Sequence, residues 1–236
     1  MTTGPHDPTR SGPPPPAAAT VRFSRNEIET LSMKAARGAG MSWGLAEEAG
    51  FAAGWLAAQG IDGAGALLGL LDEGADRAAL RPVVSGDCWQ ATGGRALCPI
   101  ALGAALSDHG ALPDGPLAVG ALRTGPVSRP ILVLPFLALL AESAGGAVSL
   151  TWPRGALTVG SSGVWPIEAA RRLSAEAAAT LEIGRAAALS AALAPRPLFE
   201  VSGATVAGLN ALAMRTTVPA SEASRRGAGA TASDND

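Results

Sequence analysis

Few side chains in this sequence can do chemistry, and their neighbours suggest what that chemistry would be. Cys98 precedes Pro99, and proline favours the first position of a helix. A cysteine just before that helix lies where free amides and the helix dipole favour a thiolate, the form that attacks electrophiles. The other reading of Cys98 is a small buried residue, because unpaired cysteine is among the most buried types. Glu47 falls between Trp43 and Phe51 on one arc of a helix. A carboxylate there can be raised in pKa and act as acid or base, or hold a cation between rings. Alternatively the arc reaches the surface and Glu47 pairs with an arginine.

A third group lies towards the C-terminus. Arg215, Ser221, Glu222, Ser224, Arg225 and Arg226 precede Gly227-Ala228-Gly229-Ala230. Glycines beside arginines expose backbone amides to a carboxylate or phosphate. On this reading Trp43, Arg215, Ser224 and Arg225 contact a ligand, and Glu222 joins Cys98 and Glu47 as a reactive group. The alternative is a solvated terminus. His109, beside Asp108, reads as a solvent-facing complement to a helix C-terminus.

Several function classes are excluded by what is missing. There is no phosphate-binding loop, GxGxxG, GxSxG or HExxH motif, and no paired Cys/His cluster. Cys88 and Cys98 fit neither a CxxC nor a zinc spacing, so no cofactor and no metal are expected. A net charge of −2 gives no basic face for nucleic acid. The chain has one lysine, Lys34, against 17 arginines, and two histidines, of which His6 lies in a proline-rich leader. If it is an enzyme, carboxylates, arginines and one cysteine must carry the reaction.

The elements that would position these groups follow from capping and periodicity. Residues 1–20, with four successive prolines, read as a disordered leader. Ser24-Arg25-Asn26-Glu27 forms a capping box, and Gly38-Ala39-Gly40 ends the helix it opens. Ser42 starts a second helix, from Trp43 to Gln59, whose Gly50 and Gly54 let a neighbouring backbone approach. Asp62 caps a third, to Glu73. Residues 21–80 are therefore expected to be a helical unit, and 81–214 an α+β portion of the same domain.

Within that portion, helices are expected at Pro99–Asp108, Ile131–Ser143 and Thr205–Met214, with Leu209 and Leu212 facing inward. Strands are expected at Leu117–Leu122 and in a hairpin of Ala147–Trp152 with Ala156–Val159. Residues 166–193 favour helix by propensity, although Thr180–Ile183 also reads as strand. Residues 215–236 form a C-terminal segment. The apolar run Ile131–Ala141 is too short for a bilayer, which takes roughly 20 residues, so it reads as core. The fold class expected is α+β, with the helical unit packed on a small, mainly antiparallel sheet.

Two long stretches carry a resemblance. SRNEIETLSMKAARGAGMSWGLAEEAGFAAGWLAAQG resembles the start of an uncharacterised bacterial family of roughly this length, and VPASEASRRGAGATASDND is similar to that family's chain end. LCPIALGAALSD and LPFLALLAESAGG also fit it. Thr217 stands where the family pattern leads one to expect an aromatic residue. The first helices also read like those of the malate and sulfolactate dehydrogenase type. The nucleotide-binding and catalytic-histidine motifs of those enzymes are absent here, and the chain is short for one.

The resemblance implies identity without mechanism. Two functions are expected from the residues. One is a small cytoplasmic enzyme or ligand-binding protein acting on a small organic anion. The other is a non-catalytic subunit that meets a partner protein through its apolar helices and tail. Neither involves a membrane.

Overall fold

The computed structural model describes residues 19–74, 81–83, 87–187 and 198–216. The proline-rich leader through residue 18 lies outside these, as do Glu222, Ser224 and Arg225. The first described element was not expected. Strand β1 (Thr20–Phe23) pairs antiparallel with β9 (Phe199–Ser202), setting Phe23 opposite Phe199 and Val21 opposite Val201.

The three helices that follow match their signals. In α1 (Arg25–Gly38) the Glu27 amide donates to Ser24 Oγ at 3.3 Å, and the Ser24 amide donates to Glu27 Oε2 at 2.7 Å. Gly40, at φ 92°, supplies the left-handed turn into α2 (Trp43–Ala58). Ser42 occupies the cap position of α2 but makes no side-chain cap bond. Asp62 Oδ1 accepts from the Gly65 amide at 2.8 Å and starts α3 (Gly63–Asp72).

The small face of α2 is used as its composition implies. A methyl group on Gly50 would stand 2.6 Å from the Glu29 carbonyl oxygen of α1, so the two helix backbones are in near contact. Ala46, Ala49, Ala52 and Ala53 are buried around that crossing. Close approach of backbones stands in for bulky side chains in this part of the core.

The remainder forms a sheet with helices on it. Strands β2 (Pro82–Val83), β3 (Cys88–Ala91), β4 (Leu122–Ser128), β5 (Ala147–Trp152), β6 (Gly155–Gly160), β7 (Gly163–Trp165) and β8 (Ala178–Ala186) take the order β2-β3-β4-β8-β5-β6-β7. All neighbours pair antiparallel except β3 with β4. Helices α4 (Pro99–His109), α5 (Pro116–Val119), α6 (Leu134–Ser143), α7 (Ile167–Ser174) and α8 (Gly203–Ala213) are the remaining α-helices among the described residues. This is an α+β fold.

The apolar run is core. A 3₁₀ turn (Pro130–Val133) leads into α6, which packs against α2, α4, β5 and β6 with Phe136, Leu137 and Leu140 buried. Among the described residues no helix is long and apolar enough to cross a membrane. Leu209 and Leu212 of α8 are buried, as their spacing indicated.

Two expectations are corrected. Leu117–Leu122 is not a strand. Pro116 starts the short helix α5, Gly120 turns the chain at φ 151°, and strand structure begins only at Leu122. β4 then runs through Gly125 and Pro126, with its pairing to β8 shifted between Arg123 and Pro126 to accommodate them. The alanine-rich stretch after α7 is also strand rather than helix. β8 lies between β4 and β5, burying Leu181 and Ile183 while Thr180 and Glu182 point outward.

Candidate functional site

Helix α1 is the wall on which a site is built. Glu27, Thr30, Leu31, Lys34 and Arg37 recur at the three- and four-residue spacing that places side chains on one helix face. Opposite them stand Asn210 and Ala213 of α8, then Met214 and Thr216 in the 3₁₀ turn that follows it. Gly38 lets the two helices meet, because a methyl group there would overlap the Leu212 carbonyl oxygen. Between them lies an open groove of about 890 Å³, to which Phe23 and Met33 add apolar lining.

Trp43 closes one end. As the first residue of α2 it is 63% exposed, and the Arg37 guanidinium lies 4.5 Å from its ring centre. Arg37 Nη1 also donates to the Met41 carbonyl oxygen, while its Nε is buried without an acceptor. Met214 is 65% exposed. Large apolar side chains left this open, beside two cations, are what a ligand or partner would cover.

Electrostatically the groove has two ends. Lys34 and Arg37 lie towards the C-terminus of α1, and Glu27 lies near its start. The capping hydrogen bonds from the Ser24 backbone and hydroxyl hold the Glu27 carboxyl below its ordinary range, so it stays ionised. Ten residues of helix separate Glu27 from Arg37, about 15 Å along the axis.

The structure brings only some of the sequence-derived candidates to this groove. Trp43 lines it, and Arg215 is exposed on the turn between Met214 and Thr216, both of which line it. Glu47 is exposed on α2 and is not part of the lining. Cys98 is at the cap position of α4 as expected, but it is 1% exposed and sits in the core. Glu222, Ser224 and Arg225 lie outside the described residues. Lys34 and Arg37 were missed as site residues, although Lys34 carried a signal as the sole lysine.

A second group of charges lies at the end of α4. Burial pushes the Glu48 carboxyl of α2 up, and the negative charges of Asp108 and Glu47 push it further. His109 is exposed in the last turn of α4, where it complements the helix C-terminus as its position implied. No group of three His, Cys, Asp or Glu among the described residues is arranged to hold a metal ion.

Comparisons with known proteins match one part of the chain to a family model and give little else. No curated protein matches this sequence. Among solved structures, malate dehydrogenase from Entamoeba histolytica is similar at a TM-score of 0.40 and 11% identity, over 57% of this chain. This chain spans only 39% of that enzyme's length, and a likeness so weak supports no argument about fold or activity. Residues 23–98 match the family model described as "Protein of unknown function (DUF3726)". That span takes in α1, α2, α3, β2 and β3, so Lys34, Arg37 and Trp43 all lie inside it. From Phe23 to Cys98 the chain is therefore similar to a domain of unknown function.

Proposed function

We propose that this is a bacterial cytoplasmic protein that binds an organic anion in the groove between α1 and α8. One observation carries the reading: Lys34, the sole lysine, and Arg37 converge with the exposed Trp43 ring on a concave, largely apolar surface. Two cations beside an apolar wall recognise a molecule with an acidic head and a carbon body. Arg215, between the lining residues Met214 and Thr216, is a candidate contact, and Glu222, Ser224 and Arg225 follow it in sequence as further candidates. Neither cysteine nor histidine lines the groove, which favours binding over nucleophilic catalysis there. Glu47, exposed on α2, remains the candidate for a reactive group elsewhere, Cys98 being enclosed in the core.

The test is a thermal-shift screen of the full chain against a library of organic acids, because a ligand of the native state raises its stability. The reading predicts stabilising hits that Lys34→Ala abolishes. Stabilisation that Lys34→Ala leaves unchanged, or no stabilising acid at all, would remove it. The exposure of Trp43 and Met214 favours a second reading, in which the same groove receives a partner protein. In that case no small acid stabilises the chain, and Trp43→Ala weakens the complex.

A further inference from the structure

The size and polarity of the groove say more about the ligand than its charge alone. A metabolite of three to five carbons would leave most of about 890 Å³ unfilled. That volume falls towards the upper end of the 300–1,000 Å³ typical of pockets for drug-sized ligands. The cations Lys34 and Arg37 lie at one end, and Leu31, Phe23 and Met214 contribute apolar wall alongside the uncharged polar Asn26, Thr30, Asn210 and Thr216. Two of the chain's four methionines, Met33 and Met214, are among the lining residues. Flexible thioether side chains adapt to a flexible apolar body.

The far end carries a negative charge. Glu27 lines the groove about 15 Å from Arg37 along α1, and its place in the capping box fixes it there. A second carboxylate on the ligand would meet it and be repelled. Lys34, by contrast, forms no ion pair with any described carboxylate, and Arg37 Nε still lacks an acceptor. An acidic head group in the open groove would pair with Lys34, while the enclosed Arg37 Nε is out of its reach.

Resting on the anion-binding reading above, we infer that the ligand is a long unbranched monocarboxylate, its head at Lys34 and Arg37 and its acyl chain lying along α1 towards Glu27. Diacids of the same length are excluded by Glu27.

The experiment is calorimetric titration of the full chain with butanoate, octanoate, dodecanoate and dodecanedioate, each below its aggregation limit. Affinity should rise with chain length, by on the order of fourfold per buried methylene at best. Dodecanedioate should bind at least about tenfold more weakly than dodecanoate, and Glu27→Gln should narrow that gap while keeping the capping box. Met214→Gln, at an exposed position, should flatten the dependence on length without unfolding the chain.

Equal affinity for butanoate and dodecanoate, or for dodecanoate and the diacid, overturns the inference. If that short-acid binding is lost in Lys34→Ala, the anion site itself survives. Length dependence that persists in both Lys34→Gln and Met214→Gln marks adsorption elsewhere and overturns the inference too. Failure of every organic acid to bind overturns both readings.

Discussion

Arg37 holds its guanidinium 4.5 Å from the centre of the Trp43 ring, across the turn that joins α1 to α2. The contact fixes the first residue of α2 against the last turn of α1, and Arg37 adds a hydrogen bond to the Met41 carbonyl oxygen. The two attachments orient Trp43 at the mouth of the groove. Arg37→Gln should lose the ring contact and weaken the hydrogen bond, at a cost of about 2 kcal/mol. Denaturant unfolding measures the loss, and an altered fluorescence of Trp43, isolated by difference from a Trp43→Phe variant, reports the freed ring.

Glycine substitutions within α2 should separate by location. Gly50→Ala places a methyl group 2.6 Å from the Glu29 carbonyl oxygen, a backbone atom that moves only if α1 moves. The expected destabilisation is about 1–3 kcal/mol. Gly44→Ala meets nothing within 4 Å and gains helix propensity, so it should be neutral or stabilise by up to about 1 kcal/mol. Thermal melts of the two variants make the comparison. Equal effects would contradict the close crossing of α1 and α2.

Glu48 gives a pH dependence whose sign is fixed. Burial, then Asp108 and Glu47, raise its folded pKa above the ordinary 4.5, so the folded state holds that proton more tightly than the unfolded state. Its contribution is present below the ordinary value and is lost as pH rises through the raised one. Glu48→Gln should therefore flatten the stability–pH curve just above 4.5 and stabilise the protein at neutral pH. Urea midpoints across that range, wild type against variant, provide the check.

Cys98 and Cys88 should differ in reactivity. Cys98 is 1% exposed, while Cys88 on β3 is half-buried. Alkylation of the native protein should label Cys88 first and reach Cys98 only on unfolding, as mass spectrometry of the labelled peptides can show. Rapid labelling of Cys98 near neutral pH would restore it as a nucleophile.

Asp62→Ala removes the carboxylate that accepts from the Gly65 amide at the start of α3. The expected loss is about 1 kcal/mol, with Asp62→Asn retaining most of the stability. Matched denaturant curves for the two variants distinguish the cap from a general surface effect.

What could be read from the sequence follows from how local each determinant is. The capping box at Ser24, the Asp62 cap, Pro99 and the Pro153-Arg154-Gly155 hairpin act over a few residues, and each element they imply is present. β8 was ambiguous because alanine favours helix, and its pairing with β4 and β5 overrides that preference. β4 was hidden by Gly125 and Pro126, residues that weaken a strand signal unless a register shift absorbs them. The groove was legible only in parts. Trp43 and Arg215 were identified separately, but Lys34 and Arg37 face α8, an element far away in the sequence, and no local pattern announces that pairing.

The partnership of β1 with β9, and of α1 with α8, has a consequence for biogenesis. A ribosome makes Thr20–Gly38 first, and the strand and helix that cover it are among the later elements to emerge. Until they do, Phe23, Ile28 and Leu31 have no cover from Phe199, Val201 and Leu209. Chains stalled or cleaved before β9 should thus be sticky and dependent on chaperones. For the same reason, a fragment limited to residues 23–98 would be a poor vehicle for studying this domain by itself.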